Sequence, residues 1–194
     1  MRARGGDVCY TTAVAAGPDE SAASLSFRCA APGDAATIVA LVESAYRGES
    51  SRLGWTHESE LLGGTRTSLA DVARRIAGTG SVMLLVEREG ALLGCCHLQQ
   101  HGPSCHFGMF AVAPRLQRAG TGRALLAEAE RFARAEWRCE VVEMRVIDAR
   151  EELLAWYLRR GYARTGVYEP IPEGPALLPK QSGLRFEVLR KSLV

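Results

Sequence analysis

The chain has 194 residues, is 47% hydrophobic and carries a formal net charge of +2 at pH 7. This length and apolar content are typical of one domain with a substantial core. Charges of both signs are interspersed, so the sequence lacks the basic stripe of a nucleic-acid binder. No apolar run approaches the ~20 residues that a membrane-spanning helix needs. We therefore expect neither a nucleic-acid nor a membrane partner.

The first elements along the chain are a tail, a strand and two helices. Residues 1–24 make a poor signal peptide, and we predict a flexible tail there, followed by a single domain over residues 25–194. Residues 25–30 alternate as a strand does. Helices are then predicted from the cap Asp34 to about Tyr46, and over residues 69–77 with Thr67 or Ser68 as the cap.

The second half of the chain reads as strands interrupted by two helices. Three strand-like runs are separated by turn signals, so we expect antiparallel neighbours at residues 81–89, 91–100 and 105–113. A helix from Thr121 to about Glu136 follows, and then a strand, a helix and two strands at residues 140–147, 151–160, 163–169 and 184–191. This order predicts an α/β (α+β) fold, with a mixed, mostly antiparallel sheet and helices on both faces.

Cysteine and lysine usage narrows the compartment and the chemistry. The six cysteines form no C-x-x-C pair, and most fall in predicted strands, which favours buried, reduced thiols in a cytoplasmic protein. Three cysteines and three histidines crowd the stretch from Cys95 to His106. Adjacent strand residues such as Cys95 and Cys96 point to opposite faces, so we expect no metal site there. Lys180 and Lys191 are the only lysines, and neither context suits a Schiff base.

A glycine-bearing turn, R-L-Q-R-A-G-T-G-R from Arg115 to Arg123, precedes the long helix. No lysine follows the second glycine as in a P-loop, and a dinucleotide fingerprint would need a third glycine. Glycines still let the backbone approach a ligand, and the N–H groups of residues 118–123 at a helix start favour an anion. The alternative is an ordinary helix start with solvated arginines.

Three motifs in order resemble those of the GCN5-related N-acetyltransferase (GNAT) family. The turn from Gln117 to Gly122 is similar to the family's Q/R-x-x-G-x-G/A turn. The stretch from Phe110 to Pro114 resembles its V-x-P strand end, and Trp156 to Tyr162 resembles its Y-x-x-x-G-[FY] helix end. The resemblance spans about residues 24–194 and implies the acyl-CoA N-acyltransferase fold, with acetyl-CoA or another acyl-CoA as donor and no metal.

The resemblance also implies where the donor binds. Backbone N–H groups of the turn are expected to bind the pyrophosphate of the donor. The residues of the turn are Gln117, Arg118, Ala119, Gly120, Thr121, Gly122 and Arg123. The strand Phe110, Ala111, Val112 is expected to pair with the pantetheine arm. An N–H of Phe110 or Val112 would then polarise the thioester carbonyl. Arg150 replaces an asparagine found in many relatives, and we expect a cofactor contact from it.

The implied reaction transfers an acetyl group to a primary amine by direct attack in a ternary complex. Tyr157 is the candidate acid for the departing thiolate, although an aromatic residue there could equally pack in the core. His106 is the candidate base, because its reference pKa of ~6.5 lies near the working pH. Glu143 and a water chain without a single base are the alternatives.

The acceptor is expected on the segment G-W-T-H-E that starts at Gly54 and continues to Arg66, which resembles a connection in some bacterial members. Trp55 would wall the pocket, while Glu58 or Arg66 would pair with a charged substrate group. A surface loop pinned by one tryptophan is the alternative, and the loop 170–183 would form the opposite lip. A small-molecule or peptide amine fits these features.

The sequence leaves several properties open. A non-catalytic acyl-CoA sensor module of the same fold is the alternative function. The identity of the acceptor, the acyl-chain preference and the oligomeric state, a homodimer included, are not determined by any motif in the chain.

Overall fold

The computed structural model describes residues 12–13, 24–47, 51, 54, 58–117, 119–172, 174 and 178–194. Strands in these ranges are β1 (Thr12–Ala13), β2 (Ser26–Cys29), β3 (Leu62–Gly63), β4 (Ser81–Arg88), β5 (Ala91–His101), β6 (Ser104–Val112), β7 (Val141–Ile147), β8 (Ala163–Pro170), β9 (Leu178–Pro179) and β10 (Arg185–Ser192). Helices in these ranges are α1 (Ala35–Tyr46), α2 (Leu69–Ala77), α3 (Thr121–Trp137) and α4 (Glu151–Leu158). No helix among them is long and apolar enough to cross a bilayer.

One mixed sheet organises the described part of the chain, in the order β1-β2-β4-β5-β6-β7-β10-β8. The strands β4, β5 and β6 are antiparallel neighbours, as the turn signals predict. The pair β6 and β7 is parallel, and α3 forms the connection between them. The remaining neighbours in this sheet are antiparallel. The predicted fold class is confirmed.

The two faces of the sheet carry separate layers of helices. Cys95 packs with the α1 and α2 side, whereas Cys96 belongs to the core under α3 and α4. Because strand residues alternate between faces, neighbouring thiols end in different cores. Both are fully buried, and the described cysteines are free thiols. The prediction of helices on both faces is therefore confirmed.

The helix starts show which polar side chains cap them. Ser68 caps α2, since its Oγ accepts a hydrogen bond from the Asp71 N–H at 3.1 Å, which decides between the two predicted caps. Asp34 occupies the predicted cap position of α1, but its carboxylate does not cap that helix. It accepts instead from the Ala31 N–H at 2.7 Å and from Arg28 at 2.7 Å, and so holds the turn that precedes α1.

Part of the predicted tail pairs with the sheet. Thr12 and Ala13 lie antiparallel to Phe27 and Ser26, respectively. The rest of that segment, residues 1–11 and 14–23, lies outside the described residues.

A divergence of two strands creates the space for a site. The parallel pairing of β6 with β7 runs only from Ser104 opposite Val141 to Phe107 opposite Met144. Just beyond it, the register of β6 on β5 shifts, and Met109 has a φ of 44°. Such an irregularity bends a strand. The last residues of β6 therefore have no ladder partner on the β7 side.

Candidate active site

A cavity of about 800 Å³ opens beside the end of β6, beyond the residues that pair with β7. Phe110 and Val112 of β6 form one wall, the residues around Gly120 before and in the first turn of α3 form another, and α4 forms the third. The cavity therefore brings the helix-end motif, Trp156 to Tyr162, against the two neighbouring motifs between Phe110 and Gly122.

The end of β6 offers backbone groups to this cavity. The Ala113 N–H donates to the Leu93 carbonyl at 2.9 Å, and Ala111 stands opposite Cys95 on β5. Because an antiparallel strand turns alternate residues toward its partner, Phe110 and Val112 turn their N–H and C=O groups away from β5. Their outward N–H groups suit a peptide-like ligand that extends the sheet.

The turn before α3 presents free N–H groups. Gly120 has a φ of 85° and stands at the N-cap, in the left-handed region that glycine adopts most easily. The first intrahelical bond runs from the Ala124 N–H to the Gly120 carbonyl at 3.0 Å. The N–H groups of Thr121, Gly122 and Arg123 consequently lack intrahelical acceptors. With the positive end of the helix dipole, they suit an anion.

This turn is fixed against β6. The Gln117 side chain donates to the Val112 carbonyl at 3.1 Å, and a Cβ built on Gly122 would lie 3.4 Å from Phe110 Cζ. The first turn of α3 thus lies directly against the strand end. Ala119 also lines the cavity, while Arg118 lies outside the described residues.

Three arginines on the same cavity add positive charge. Arg123, Arg159 and Arg160 line it and form no ion pair within the described part of the chain. Burial lowers the pKa of Arg160, and repulsion from Arg159 and Arg123 lowers it further. Glu152 is the one carboxylate among the described lining residues. Sequence reasoning did not predict that Arg159 and Arg160 line this cavity, although both lie inside the helix-end motif.

A second cavity, of about 200 Å³, adjoins the first. Both are lined by Tyr46, Phe110, Arg150, Leu153 and Tyr157. The second cavity lies on the side of the segment that follows Gly54, so the two spaces meet at these shared residues.

Tyr157 lies at this junction and is 4% exposed. Burial raises its pKa well above the ordinary value, and the neighbouring Tyr46 raises it further. The rings of Trp156 and Tyr162 pack edge-on against it, with centroids 5.0 and 5.7 Å away. The phenol is therefore protonated at neutral pH and held in a fixed orientation.

Tyr46 makes a contact with β6 that sequence reasoning did not predict. Its hydroxyl donates to the Phe110 carbonyl, and burial raises its pKa to about 12. The bond joins the end of α1 to the free edge of β6. Nothing in the apolar stripe of α1 distinguishes this tyrosine from an ordinary core residue.

Glu58 lies at the centre of a buried charge cluster. One of its oxygens accepts from Arg150 at 2.9 Å, and the other lies 3.4 Å from Arg47 and 3.6 Å from Arg66. One carboxylate thus faces three guanidinium groups. Of the residues predicted on the acceptor side, the structure brings Glu58 and Arg66 together, whereas Trp55 lies outside the described residues.

Removing the charge of Glu58 is expected to destabilise the fold. In Glu58→Gln, three guanidinium groups would lose their shared carboxylate, and breaking a buried pair costs about 3–5 kcal/mol. A chain of this size should then melt about 10 °C lower. Thermal unfolding of Glu58→Gln beside the exposed control Glu60→Gln measures the difference. Equal melting temperatures for the two variants would contradict a stabilising role for the cluster.

His106 is half-buried and lines the second cavity. Burial lowers its pKa to about 4, and the neighbouring Arg145 lowers it further. Arg145 Nη1 lies 3.0 Å from His106 Nδ1. Since guanidinium only donates, this nitrogen is the acceptor and the neutral ring carries its proton on Nε2. The geometry weighs against a free lone pair for a general base.

Two further groups bear on the predicted base. Glu143 is paired with Arg190 at 2.7 Å and lines neither cavity. His97, which sequence reasoning missed, is 3% exposed and lies 2.9 Å from Arg75 Nη1 and 2.8 Å from Ser81 Oγ. Burial lowers its pKa to about 4. Both of its ring nitrogens are occupied by these contacts.

The described part of the loop 170–183 lines neither cavity, but it pairs with the segment predicted to bind the acceptor. Its β9 pairs with β3, with Leu62 opposite Pro179, and the Lys180 N–H donates to the Leu61 carbonyl at 2.9 Å. This strand pair ties the loop to the segment that carries Glu58.

The chain belongs to the acetyltransferase (GNAT) family, whose sequence model matches residues 41–162, more than half of the chain. Its fold is similar to that of solved N-acetyltransferases. A spermidine N-acetyltransferase chimera, from Vibrio cholerae and hSSAT, has a TM-score of 0.64 and 16% identity, covering 87% of this chain and 95% of the other. The ribosomal-protein-S18-alanine N-acetyltransferase of Escherichia coli has a TM-score of 0.65 and 13% identity, covering 87% and 94%.

A third similar structure is the IAA acetyltransferase of Bacillus cereus, with a TM-score of 0.59 and 15% identity, covering 87% of this chain and 99% of the other. At these identities, the likeness concerns the fold. No curated protein matches the sequence at a significant level.

Proposed function

We propose that this protein is an acetyl-CoA-dependent N-acetyltransferase, which transfers the acetyl group to a primary amine by direct attack in a ternary complex. One observation carries the proposal: the unpaired edge of β6 and the free N–H groups at the start of α3 face the same cavity. An extended pantetheine arm and a diphosphate, joined in one molecule, match these two features.

The donor would be held by groups already in place. The N–H groups of Thr121, Gly122 and Arg123 suit the diphosphate, and Arg123, Arg159 and Arg160 supply positive charge. The N–H groups of Phe110 and Val112 suit the pantetheine arm. Arg150 lines the cavity but pairs with Glu58 at 2.9 Å, so we assign it to the junction of the two cavities rather than to phosphate.

The thioester carbonyl would accept a hydrogen bond from the Phe110 or Val112 N–H, which stabilises the developing oxyanion. The amine nitrogen attacks this carbon, the C–N bond forms, and the C–S bond breaks with its electron pair remaining on sulfur. Tyr157 donates a proton to the departing thiolate from the junction of the cavities. The proton lost by the amine restores the phenol through solvent.

The amine must be neutral to attack. A lysine-like amine with a pKa of ~10.4 is protonated at neutral pH, so freeing its lone pair costs ~4–5 kcal/mol. Like charges disfavour a cation. Of the described arginines that line the second cavity, Arg66 lies farthest from its nearest described carboxylate, at 3.6 Å, and its charge would lower the pKa of a bound ammonium. We therefore propose that this positive charge, with water as the proton acceptor, replaces a single general base.

The pH dependence tests this view of the base. We expect His106→Gln to leave the shape of the kcat/KM profile between pH 6 and 9 unchanged, because the ring is neutral throughout that range with a pKa of about 4 and donates rather than accepts at Nε2. Steady-state rates at saturating acetyl-CoA give the profile. If the wild-type kcat/KM profile rises with a pKa near neutral pH and His106→Gln lacks that rise, His106 is the general base.

A thiol-release assay tests the function itself. Purified protein is mixed with acetyl-CoA and amines of several classes, and free coenzyme A is followed while calorimetry measures its binding. Amine-dependent thiol release supports the enzyme. Tight binding without release by any amine would favour the alternative, a non-catalytic acyl-CoA sensor, and absence of binding would refute both.

The acceptor does not follow from the fold. One similar structure is named for spermidine and another for the alanine of a ribosomal protein, so the same architecture serves small-molecule and protein amines. A cytoplasmic location stays a prediction from the cysteine pattern.

A further inference from the structure

We propose that the acceptor carries a carboxylate next to the amine that is acetylated, as a free amino acid does, and that Arg66 binds this carboxylate. This inference rests on the proposed acetyltransferase function and specifies the substrate class of its second cavity.

The charges that line the second cavity are unbalanced. Among its described lining residues, Glu58 is the one carboxylate, whereas four guanidinium groups are present, those of Arg66, Arg75, Arg145 and Arg150. The two lining histidines, with pKa values of about 4, are uncharged at neutral pH. Asp71 and Glu169, which do not line the cavity, pair with Arg75 and Arg145. The uncompensated charge is therefore that of Arg66, and it favours an anionic ligand over a polyamine.

The negative charge of Glu58 is already compensated by arginines of the protein. Both of its oxygens face guanidinium groups, at 2.9 Å from Arg150 and at 3.4 Å from Arg47. Binding a substrate ammonium on Glu58 would compete with these buried pairs. The carboxylate therefore organises the arginines rather than receiving a cationic substrate.

Arg66 is the least committed of the four guanidinium groups. Arg75 pairs with Asp71 at 3.1 Å, and Arg145 pairs with Glu169 at 2.5 Å. The contact of Arg66 with Glu58 is longer, at 3.6 Å, and its Nε is buried without a hydrogen-bond partner within the described structure. Its guanidinium group has unused donors for a bidentate carboxylate.

The backbone next to Arg66 is held in place. The Thr67 N–H donates to the Glu43 carboxylate at 2.9 Å, and Thr67 Oγ1 contacts Asp71 at 3.1 Å. Arg47 Nε donates to the Gly64 carbonyl at 3.0 Å. These bonds on either side of Arg66 orient it before any ligand binds, which reduces the entropy lost on binding.

The position of Arg66 relative to β6 suits an amine beside the carboxylate. The Arg66 guanidinium carbon lies 5.1 Å from the centre of the Tyr46 ring, and the hydroxyl of that ring bonds to the Phe110 carbonyl. One tyrosine therefore separates the anion site from the strand end assigned to the thioester. The cavity volume of about 200 Å³ is below the ~300–1,000 Å³ of drug-sized pockets, which suits a small acceptor.

The test compares matched acceptors. The wild-type chain, Arg66→Gln and the exposed control Arg134→Gln are assayed by thiol release with acetyl-CoA. The amines are the common L-amino acids, their carboxamides, their decarboxylated counterparts and spermidine. We expect one or more amino acids to have a kcat/KM about 100-fold higher than that of the corresponding carboxamide. The carboxamide lacks the charge that would pair with Arg66, and losing one partner of a buried charge pair has an effect of this size. Arg66→Gln should erase that preference, whereas Arg134→Gln should keep it. The Kd for coenzyme A should stay at the wild-type value in both variants.

Several outcomes would overturn the inference. Carboxamides, decarboxylated amines or spermidine that react as well as the acids would exclude a carboxylate site while leaving the acetyltransferase function intact. Arg66→Gln that slows acids and carboxamides equally would remove Arg66 from recognition.

A binding measurement decides the carboxylate site even without turnover. The protein saturated with coenzyme A is melted in the presence of each acid and its carboxamide. Stabilisation by acids alone, lost in Arg66→Gln, supports the site, and equal responses to acids and carboxamides refute it. Failure of the proposed function would appear separately, as acetyl-CoA that no amine consumes.

Discussion

Tyr157→Phe is expected to lower kcat by about 10²–10⁴-fold, the range typical of a positioned acid or base. The phenol lies at the junction of both cavities and is 4% exposed, so little water reaches its hydroxyl. Burial raises its pKa well above the ordinary value, so the phenol is protonated throughout the neutral pH range. Phenylalanine preserves the edge-on ring contacts, so the loss reports the hydroxyl alone.

The control is Tyr168→Phe, because Tyr168 is 42% exposed on β8 and lines neither cavity. Single-turnover kinetics with acetyl-CoA measure the chemical step, and calorimetry measures the Kd for coenzyme A. We expect that Kd to match wild type in both variants. Wild-type kcat in Tyr157→Phe would exclude the acid role, and a weakened Kd would assign the hydroxyl to cofactor binding.

The secondary structure could be predicted because each segment has a clear period. The alternation of β5 assigned Cys95 and Cys96 to opposite faces, and the structure buries them in separate cores. The helix predicted over residues 69–77 is α2 itself. Local patterns of this kind need no knowledge of the partner elements.

The contacts across the cavities could not be predicted in the same way. Tyr46 and Phe110 are 64 residues apart, and Glu58 and Arg150 are 92 residues apart. No local pattern signals that such residues meet. Sequence reasoning therefore offered Glu58 and Arg66 as alternative ligands for a charged substrate, whereas the structure pairs Glu58 internally and leaves Arg66 with donors to spare.

The proposed acetyl-CoA site could be predicted in part from the sequence. A glycine-bearing helix start predicted an anion site, and the structure supplies the free N–H groups and the φ of 85° at Gly120. The motif did not reveal that β6 diverges from β7 beyond Phe107. The divergence occurs beside a register shift between β5 and β6. Such a shift involves the pairing of two strands, so the pattern of one strand does not predict it.

Gly122→Val is expected to weaken coenzyme A binding by about 100-fold, equivalent to about 2.7 kcal/mol. A Cβ at this position would already lie 3.4 Å from Phe110 Cζ and 3.6 Å from Val112 Cγ2. The two further methyl groups of valine would therefore fill the space between the start of α3 and the edge of β6. Ala127→Val, at an exposed position of the same helix, controls for the lower helix propensity of valine. Calorimetry on both variants, with thermal unfolding to show that they fold, measures the effect. If Gly122→Val binds coenzyme A with the wild-type Kd, the diphosphate binds elsewhere, and this cavity is not the site of the acetyl-CoA donor.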